Sequence, residues 1–310
     1  MECFLLEKEF TMDKAYLRDD YIEDEFNEKI VSVLFPLIEN KKNDLAKGFF
    51  EKHPNTMTIV NNARETALTI AIDAGNYEMM EYLLDKVPAK TTIKGGNKFI
   101  DSRNLDGFSP LMRAVTNQDL KAVQILLKHN PDLNIEDYTY KLTAMHLAAQ
   151  LDTTDILKEL LSLEKNGKKV LDINKPTKRR TLTALHLASR QGNLIMVKFL
   201  IENGADVNIQ AAFSKKTAAM FSAEAGKKDV YNYLMSLEQT NKELTDMKGQ
   251  TAFIYAQRNV IIRDEMDRWG ESKSETISDL DLKESKELPP VFISRKKMMP
   301  LNSAKEQTKS

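Results

Sequence analysis

A threonine or serine followed by a short apolar stretch returns at near-constant spacing along most of this 310-residue chain. The positions are Thr66, Ser109, Thr143, Thr183, Thr217 and Thr251, separated by 43, 34, 40, 34 and 34 residues. A period in the low thirties with insertions marks a chain of stacked supersecondary units rather than one closed core. The fullest copy reads TLTALHLASRQGNLIMVKFLIENGADVN, residues 181–208. Thr183 stands where an N-cap hydroxyl meets the free amides of a first helical turn. Leu185 and Ala188 share one face of a short helix, whose alanines let a second helix approach closely. Gly192 ends that helix, as a residue that tolerates the left-handed conformation should. Leu194, Met196, Val197, Leu200 and Ile201 then follow at helical spacing. Gly204 ends the second helix, and ADVN turns the chain toward the next unit. One such pair cannot bury its apolar surface alone, but stacked neighbours can.

These residues resemble the ankyrin repeat. Thr183-Ala184-Leu185-His186, Gly192 and Gly204-Ala205-Asp206-Val207-Asn208 match its pattern well. Thr143-Ala144-Met145-His146 with Ala148-Ala149, and Ser109-Pro110-Leu111 with Leu133-Asn134, match moderately. The units at Thr66, Thr217 and Thr251 lack the histidine and match more weakly. The resemblance implies an all-α solenoid of stacked helix-turn-helix units with loop or β-turn fingers. It divides the chain into an acidic N-terminal arm (1–29), a degenerate capping repeat (30–61), ankyrin repeats with a C-terminal cap (62–266) and a polar, mostly disordered tail (267–310). Insertions after the first clear repeat (VPAKTTIKGGNKFIDSRN) and after the repeat at Thr143 (EKNGKKVLDINKPTKRR) are expected to emerge as extended fingers.

The bulk numbers narrow the class. Apolar and charged fractions of 42% and 29% fit a folded protein. No apolar run approaches the roughly 20 residues of a membrane span. The N-terminus is a poor secretory signal, because its apolar patch carries Glu2, Glu7 and Glu9 and no basic start. A single cysteine, Cys3, allows no internal disulfide and fits a reducing compartment. Metal-site, phosphate-loop and nucleophile-elbow motifs are absent from the sequence. The resemblance makes His146 and His186 structural, because this histidine bonds neighbouring turns. KGGNK, residues 94–98, reads as a turn. No catalytic residue, metal site or cofactor is expected.

Function is therefore expected in recognition. Ankyrin arrays present a concave face of turn tips and first-helix surfaces, and their partners share no sequence. Counting from each motif residue places Leu105, Phe108, Tyr140, Leu142, Leu151, Arg179, Arg180, Leu182, Arg190, Phe213 and Lys216 on that face. The basic segment from Lys165 to Arg180 adds Lys168, Lys169 and Lys178. Aromatics and arginine dominate interface hot spots, so the expected partner is a protein with an acidic surface. Packing of Phe108, Tyr140 and Phe213 onto neighbouring fingers is the alternative for those rings. The acidic arm, residues 1–29, complements the basic segment and could fold onto it. Near-neutral net charge argues against nucleic acid, although the basic finger keeps that reading open. An enzyme or covalent modifier working from outside the repeats is the other rival. A cytoplasmic monomer is expected. The glutamates Glu271, Glu275, Glu284 and Glu287 of the tail are similar to type IV translocation signals, which raises a second setting: a bacterial effector secreted into a host cytoplasm.

Overall fold

The computed structural model describes residues 20–165 and 168–259. Helices come in pairs: α1 (Asp20–Glu39) with α2 (Asn43–Lys52), α3 (Ala67–Asp73) with α4 (Tyr77–Lys86), and α5 (Pro110–Thr116) with α6 (Leu120–Lys128). They continue as α7 (Ala144–Ala148) with α8 (Asp155–Leu161), α9 (Ala184–Gln191) with α10 (Leu194–Glu202), and α11 (Ala218–Glu224) with α12 (Lys228–Ser236); α13 (Ala252–Arg258) follows. The first helices, α1 through α13 by odd numbers, pack each on the next in one row. In a second row α4 packs on α6, α6 on α8, and α10 on α12. This is the stacked helical solenoid that the spacing predicts.

Position in the stack explains composition. A first helix has neighbours on both sides, so α9 buries six consecutive residues, Ala184 to Ser189. Small side chains there allow the close approach. A second helix faces solvent on one side, and α10 buries only Met196, Val197 and Leu200. The helix α1 shows the same logic at the N-terminal end. Ile30, Leu34 and Ile38, one face at helical spacing, are buried against α2 and α3.

The recurring hydroxyl caps its helix. Thr66, Ser109, Thr183, Thr217 and Thr251 each accept the amide three residues ahead. In two repeats a histidine extends this cap into the next unit. His186 Nδ1 accepts the Thr183 amide at 3.0 Å, and its Nε2 donates to the Ile209 carbonyl at 2.9 Å. His146 does the same with the Thr143 amide at 3.3 Å and the Lys175 carbonyl at 3.0 Å. An amide donor on Nδ1 and a carbonyl on Nε2 require the neutral Nε2–H tautomer. Burial favours that neutral form further and lowers both rings to about 4, against the pull of the carbonyls they bind.

Two asparagines, each directly before a carbonyl that a histidine binds (Asn174 before Lys175, Asn208 before Ile209), add a second link at the same end of the unit. Asn174 Nδ2 donates to the Gly204 carbonyl at 3.2 Å while its Oδ1 accepts the Asp206 amide at 2.9 Å. One repeat on, Asn208 makes the same pair with the Gln239 carbonyl and the Asn241 amide, both at 2.8 Å. The asparagine of the ADVN turn is thus an inter-repeat clamp.

The two insertions differ from each other. The first does not project: Ile93, Phe99 and Ile100 are buried, and the Phe99 amide donates to Thr91 across a short loop closed by Gly95 and Gly96. Its apolar residues drive it back onto the stack. In the second, β1 (Glu164–Lys165) pairs antiparallel with β2 (Lys168–Lys169). Residues 20–29, expected in the acidic arm, belong to α1; the rest of the arm (1–19) and the tail lie outside the described residues, as does any docking of residues 1–19 on the basic segment.

Stability is expected to fall in acid for a definite reason. The unfolded chain protonates its histidines below the ordinary value of 6.5, whereas the folded rings stay neutral down to about 4. Stability present above pH 6.5 is therefore lost as pH falls toward 4, by about 2 kcal/mol per histidine between pH 7.5 and 5. Urea unfolding at both pH values checks this: His186→Asn should remove about half of the pH-dependent loss. A second expectation concerns Gly107, whose φ is +84°. A Cβ there would sit 2.7 Å from the Tyr138 backbone nitrogen and 2.8 Å from its ring. Gly107→Ala should cost about 1–3 kcal/mol by the same assay.

Candidate partner-binding face

Between consecutive helix pairs the chain makes a tight finger ahead of each capping residue. The Asp137 amide donates to Leu142, Thr177 to Leu182 and Ala211 to Lys216, at 3.0, 2.9 and 3.0 Å. Each turn needs one left-handed residue: Lys141 (φ 59°), Thr181 (φ 53°) and Lys215 (φ 56°). A β-branched threonine is costly there. At Thr181 the hydroxyl accepts the Ala212 amide of the next finger, so the strained residue also links two fingers. Elsewhere the links are backbone: Leu105 to Ala63 at 3.2 Å, Tyr138 to Asp106 at 2.9 Å, and Met247 to Ser214 at 3.2 Å. The fingers thus stand in one ordered row beside the first helices.

This geometry sorts the residues expected on the face. Leu142, Leu151 and Leu182 are not on it; at 1%, 5% and 3% exposure they belong to the core. Leu142 and Leu182 close their finger turns, with amides held by Asp137 Oδ2 and Thr177 Oγ1, and the side chain points inward. Leu151 is turned inward because α7 ends already at Ala148, four residues after its start. Phe108 and Tyr140 are half-buried and pack on the core. Phe213 and Leu105 stand exposed at 68% and 61%. The side chains of Lys168 and Lys169 lie outside the described residues.

Exposed Tyr138 and Met247 join the row of tips, and counting from the motif missed them. A sequence signal existed. Asn104, Asp137 and Asp246 each open a finger by accepting amides two and more residues ahead with Oδ1. The residue directly after each, Leu105, Tyr138 or Met247, is an exposed one. Arg103 and Lys141 approach the Tyr138 ring to 5.4 and 5.8 Å.

The cations of the face divide into two kinds. Lys178 pairs with Glu136 at 3.1 Å, and Arg179 donates to the Thr139 carbonyl. Lys216 pairs with Glu224 at 2.7 Å and lies over the Tyr255 ring. Toward the N-terminal end, Arg113 grips Asp73 with two nitrogens, and Asn117 donates to the same carboxylate. Arg180 and Arg190 have no hydrogen-bonded side chain and no ion pair among the described residues. Burial lowers the pKa of Arg190; the Glu224 carboxylate, already held by Lys216, opposes this, and the charge of Arg180 adds to it. A half-buried guanidinium beside a like charge is a fork of donors ready for a carboxylate. Among the described residues no cluster of acidic, histidine or cysteine side chains could hold a metal ion. No described helix is long and apolar enough to cross a membrane.

Comparison with known proteins agrees with this architecture. The chain is 26% identical over 144 residues to the NAD-dependent deacetylase sir2B of Dictyostelium discoideum, covering 46% of this chain and 18% of that protein. It is 28% identical over 156 residues to the probable 26S proteasome regulatory subunit p28 of Saccharomyces cerevisiae, covering 50% of this chain and 66% of that one. The chain spans less than a fifth of the deacetylase and just under two thirds of p28. Among solved structures, the ankyrin repeat domain of Bcl-3 superposes with a TM-score of 0.62 at 19% identity, over 74% of this chain and 96% of that domain. A family model described as ankyrin repeats in three copies matches residues 34–137 and 136–211, more than half of the chain. With its capped helix pairs, histidine staples and finger row, the chain belongs to the ankyrin-repeat family.

Proposed function

We propose that the chain is a non-enzymatic adaptor that binds an acidic protein surface on the face of its middle fingers and first helices. Ankyrin repeats generally serve protein–protein interaction, and the finer assignment follows from one observation. The guanidinium groups of Arg180 and Arg190 make no hydrogen bond or ion pair among the described residues, and exposed Phe213 stands on the finger tied to that of Arg180, whereas the other face cations described above are engaged within the chain. Arginines and an exposed aromatic ring on linked fingers have the composition of an interface hot spot. The core positions of the repeats are committed to packing, and His146 and His186 are buried, neutral and bonded on both nitrogens. They are poor candidates for catalysis. The basic finger as a nucleic-acid site is disfavoured, because Lys178 and Arg179 are already paired. A cytoplasmic monomer remains the reading of its state. The effector version rests on the glutamates of the polar tail and on the degenerate repeats rich in lysine and asparagine, and a translocation assay on a tail fusion tests it separately.

Affinity capture with the full chain tests the face. Proteins retained by the native chain should be lost with Arg190→Gln and with Phe213→Ala, each weakening the complex by more than about 1 kcal/mol. Neither substitution should lower the melting temperature, because neither side chain fills the core. Leu182→Ala is the contrast: it should cost about 2–5 kcal/mol of stability. Captured proteins that are retained equally by both face variants would refute the assignment.

A further inference from the structure

We infer that Asp101 is a proton-controlled clamp between the first insertion and the turn that follows α6. As a carboxylate it makes one link to that turn. With a proton from solvent on Oδ2 it donates to the Asn130 carbonyl and closes a second link.

The position is that of the asparagine clamps. Asn174 and Asn208 stand three residues before Thr177 and Ala211, whose amides close the finger turns. Asp101 stands three residues before Asn104, which opens its own finger. Like the asparagines, Asp101 accepts with Oδ1 an amide of the unit ahead, that of Asp132 at 2.8 Å. Each asparagine also donates to the carbonyl two residues before the amide it accepts, Gly204 for Asn174 and Gln239 for Asn208. For Asp101 the corresponding carbonyl is that of Asn130. The backbone there matches the Asn174 clamp. Asn130 is left-handed (φ 53°) as Gly204 is (φ 93°), and their amides donate to Leu127 and Ile201, each three residues back. Among the described residues no group donates to the Asn130 carbonyl.

One atom separates the two kinds of clamp. Aspartate places Oδ2 where asparagine places an amide nitrogen, and an ionised carboxylate has nothing to donate. Only the protonated acid offers the donor and acceptor of asparagine. The surroundings favour that form. Asp101 is buried, and among the described residues the Asp132 amide is the donor its carboxylate has. The Ser102 hydroxyl, next in the chain, is buried with no partner and gives it no help. Burial, the largest influence, raises the Asp101 carboxyl above its ordinary 3.8. The Asp132 amide pulls against this, the Asp132 carboxylate adds to it, and the Lys98 ammonium opposes it. His129, the C-cap of α6, and Arg103, bonded to the Glu136 carbonyl, are further titratable groups on the two segments. The sign of the effect follows. A raised folded value means that the folded chain takes the proton before the unfolded chain does. The cost of the carboxylate is therefore in full force above the folded value and is removed as pH falls through it toward 3.8. This joint tightens in acid, where the histidine joints weaken.

The experiment compares the full native chain with Asp101→Asn and Asp101→Ala by urea unfolding and by NMR. At pH 7.5 the asparagine variant should unfold at a higher urea midpoint than the native chain. Its Asn130 carbonyl carbon should shift downfield, and its Asp132 amide should exchange about threefold or more slowly, as one added hydrogen bond gives. Asp101→Ala, which loses the charge without gaining a donor, should match none of these gains. In the native chain the Asn130 carbon should move in the same direction as pH falls from 7.5 to 5, and the midpoint gap to Asp101→Asn should narrow. That narrowing should persist in a His129→Gln background. An asparagine variant with no gain in midpoint, or an unmoved Asn130 carbon, would overturn the inference. So would an equal gain with alanine, because relief of charge alone would then be the cause. A gap that stays constant with pH would remove the proton control, and a narrowing lost with His129→Gln would assign it to the histidine instead.

Discussion

A helix pair of this length cannot bury its own apolar side, and everything else in the structure follows from the need for a neighbour. The first helices meet that need on two sides at once, which is why all six residues from Ala184 to Ser189 are buried, with small side chains at Ala184, Ala188 and Ser189. Polar groups at the finger end of two units then fix how the neighbours meet. At the finger end, His146 and His186 join an N-cap to a carbonyl one unit ahead. Directly beside those carbonyls, Asn174 and Asn208 bridge consecutive turns. Contacts of this kind are local, so stability adds along the stack by nearest neighbours. Loops between pairs can therefore lengthen without disturbing the row, as they do after α4 and after α8.

Stacking also decides what is left for recognition. Inward-pointing finger residues such as Leu142 and Leu182 are used up by the core. Charges near the N-terminal end neutralise one another, with Asp73 taking both Arg113 and Asn117. Glu224 is held by Lys216. What remains unspent is a narrow zone: Arg180, Arg190 and Phe213, flanked along the row by Leu105, Tyr138 and Met247. Burying part of an unpaired guanidinium costs stability. Such a cost is expected where a surface is shaped for a partner rather than for folding.

Sequence reading recovered the repeat, the caps and the buried histidines because each is dictated by one residue type at one spacing. Thr183, His186 and Gly192 have few substitutes in their roles: Gly192 sits at φ +88°, and a Cβ there would meet Lys227. The face was less legible. Position counting treats all fingers as equal, yet whether a finger residue points in or out depends on where its turn begins. Asp137 opens its turn so that Tyr138 points out, while Leu142, five residues on, points in. The first insertion was misjudged because its buried residues Ile93, Phe99 and Ile100 are scattered among lysines and glycines, with no period to read. Ion pairing was invisible for a simpler reason. Lys178 and Glu136, or Arg113 and Asp73, lie about one repeat apart in the chain, and only the stack brings them together.

If stacking supplies the stability and Arg190 serves binding, removing that charge should leave the fold unharmed. The direct measurement is urea unfolding of full-length Arg190→Met at pH 7.5 and about 1 M salt, where exposed ionic contacts are screened within about 3 Å. The predicted result is a midpoint equal to or above that of the native chain, since an apolar chain of similar length replaces a partly desolvated, unpaired cation. A midpoint lowered as far as that of Leu182→Ala would contradict it, and would make Arg190 a member of the stack rather than of its binding face.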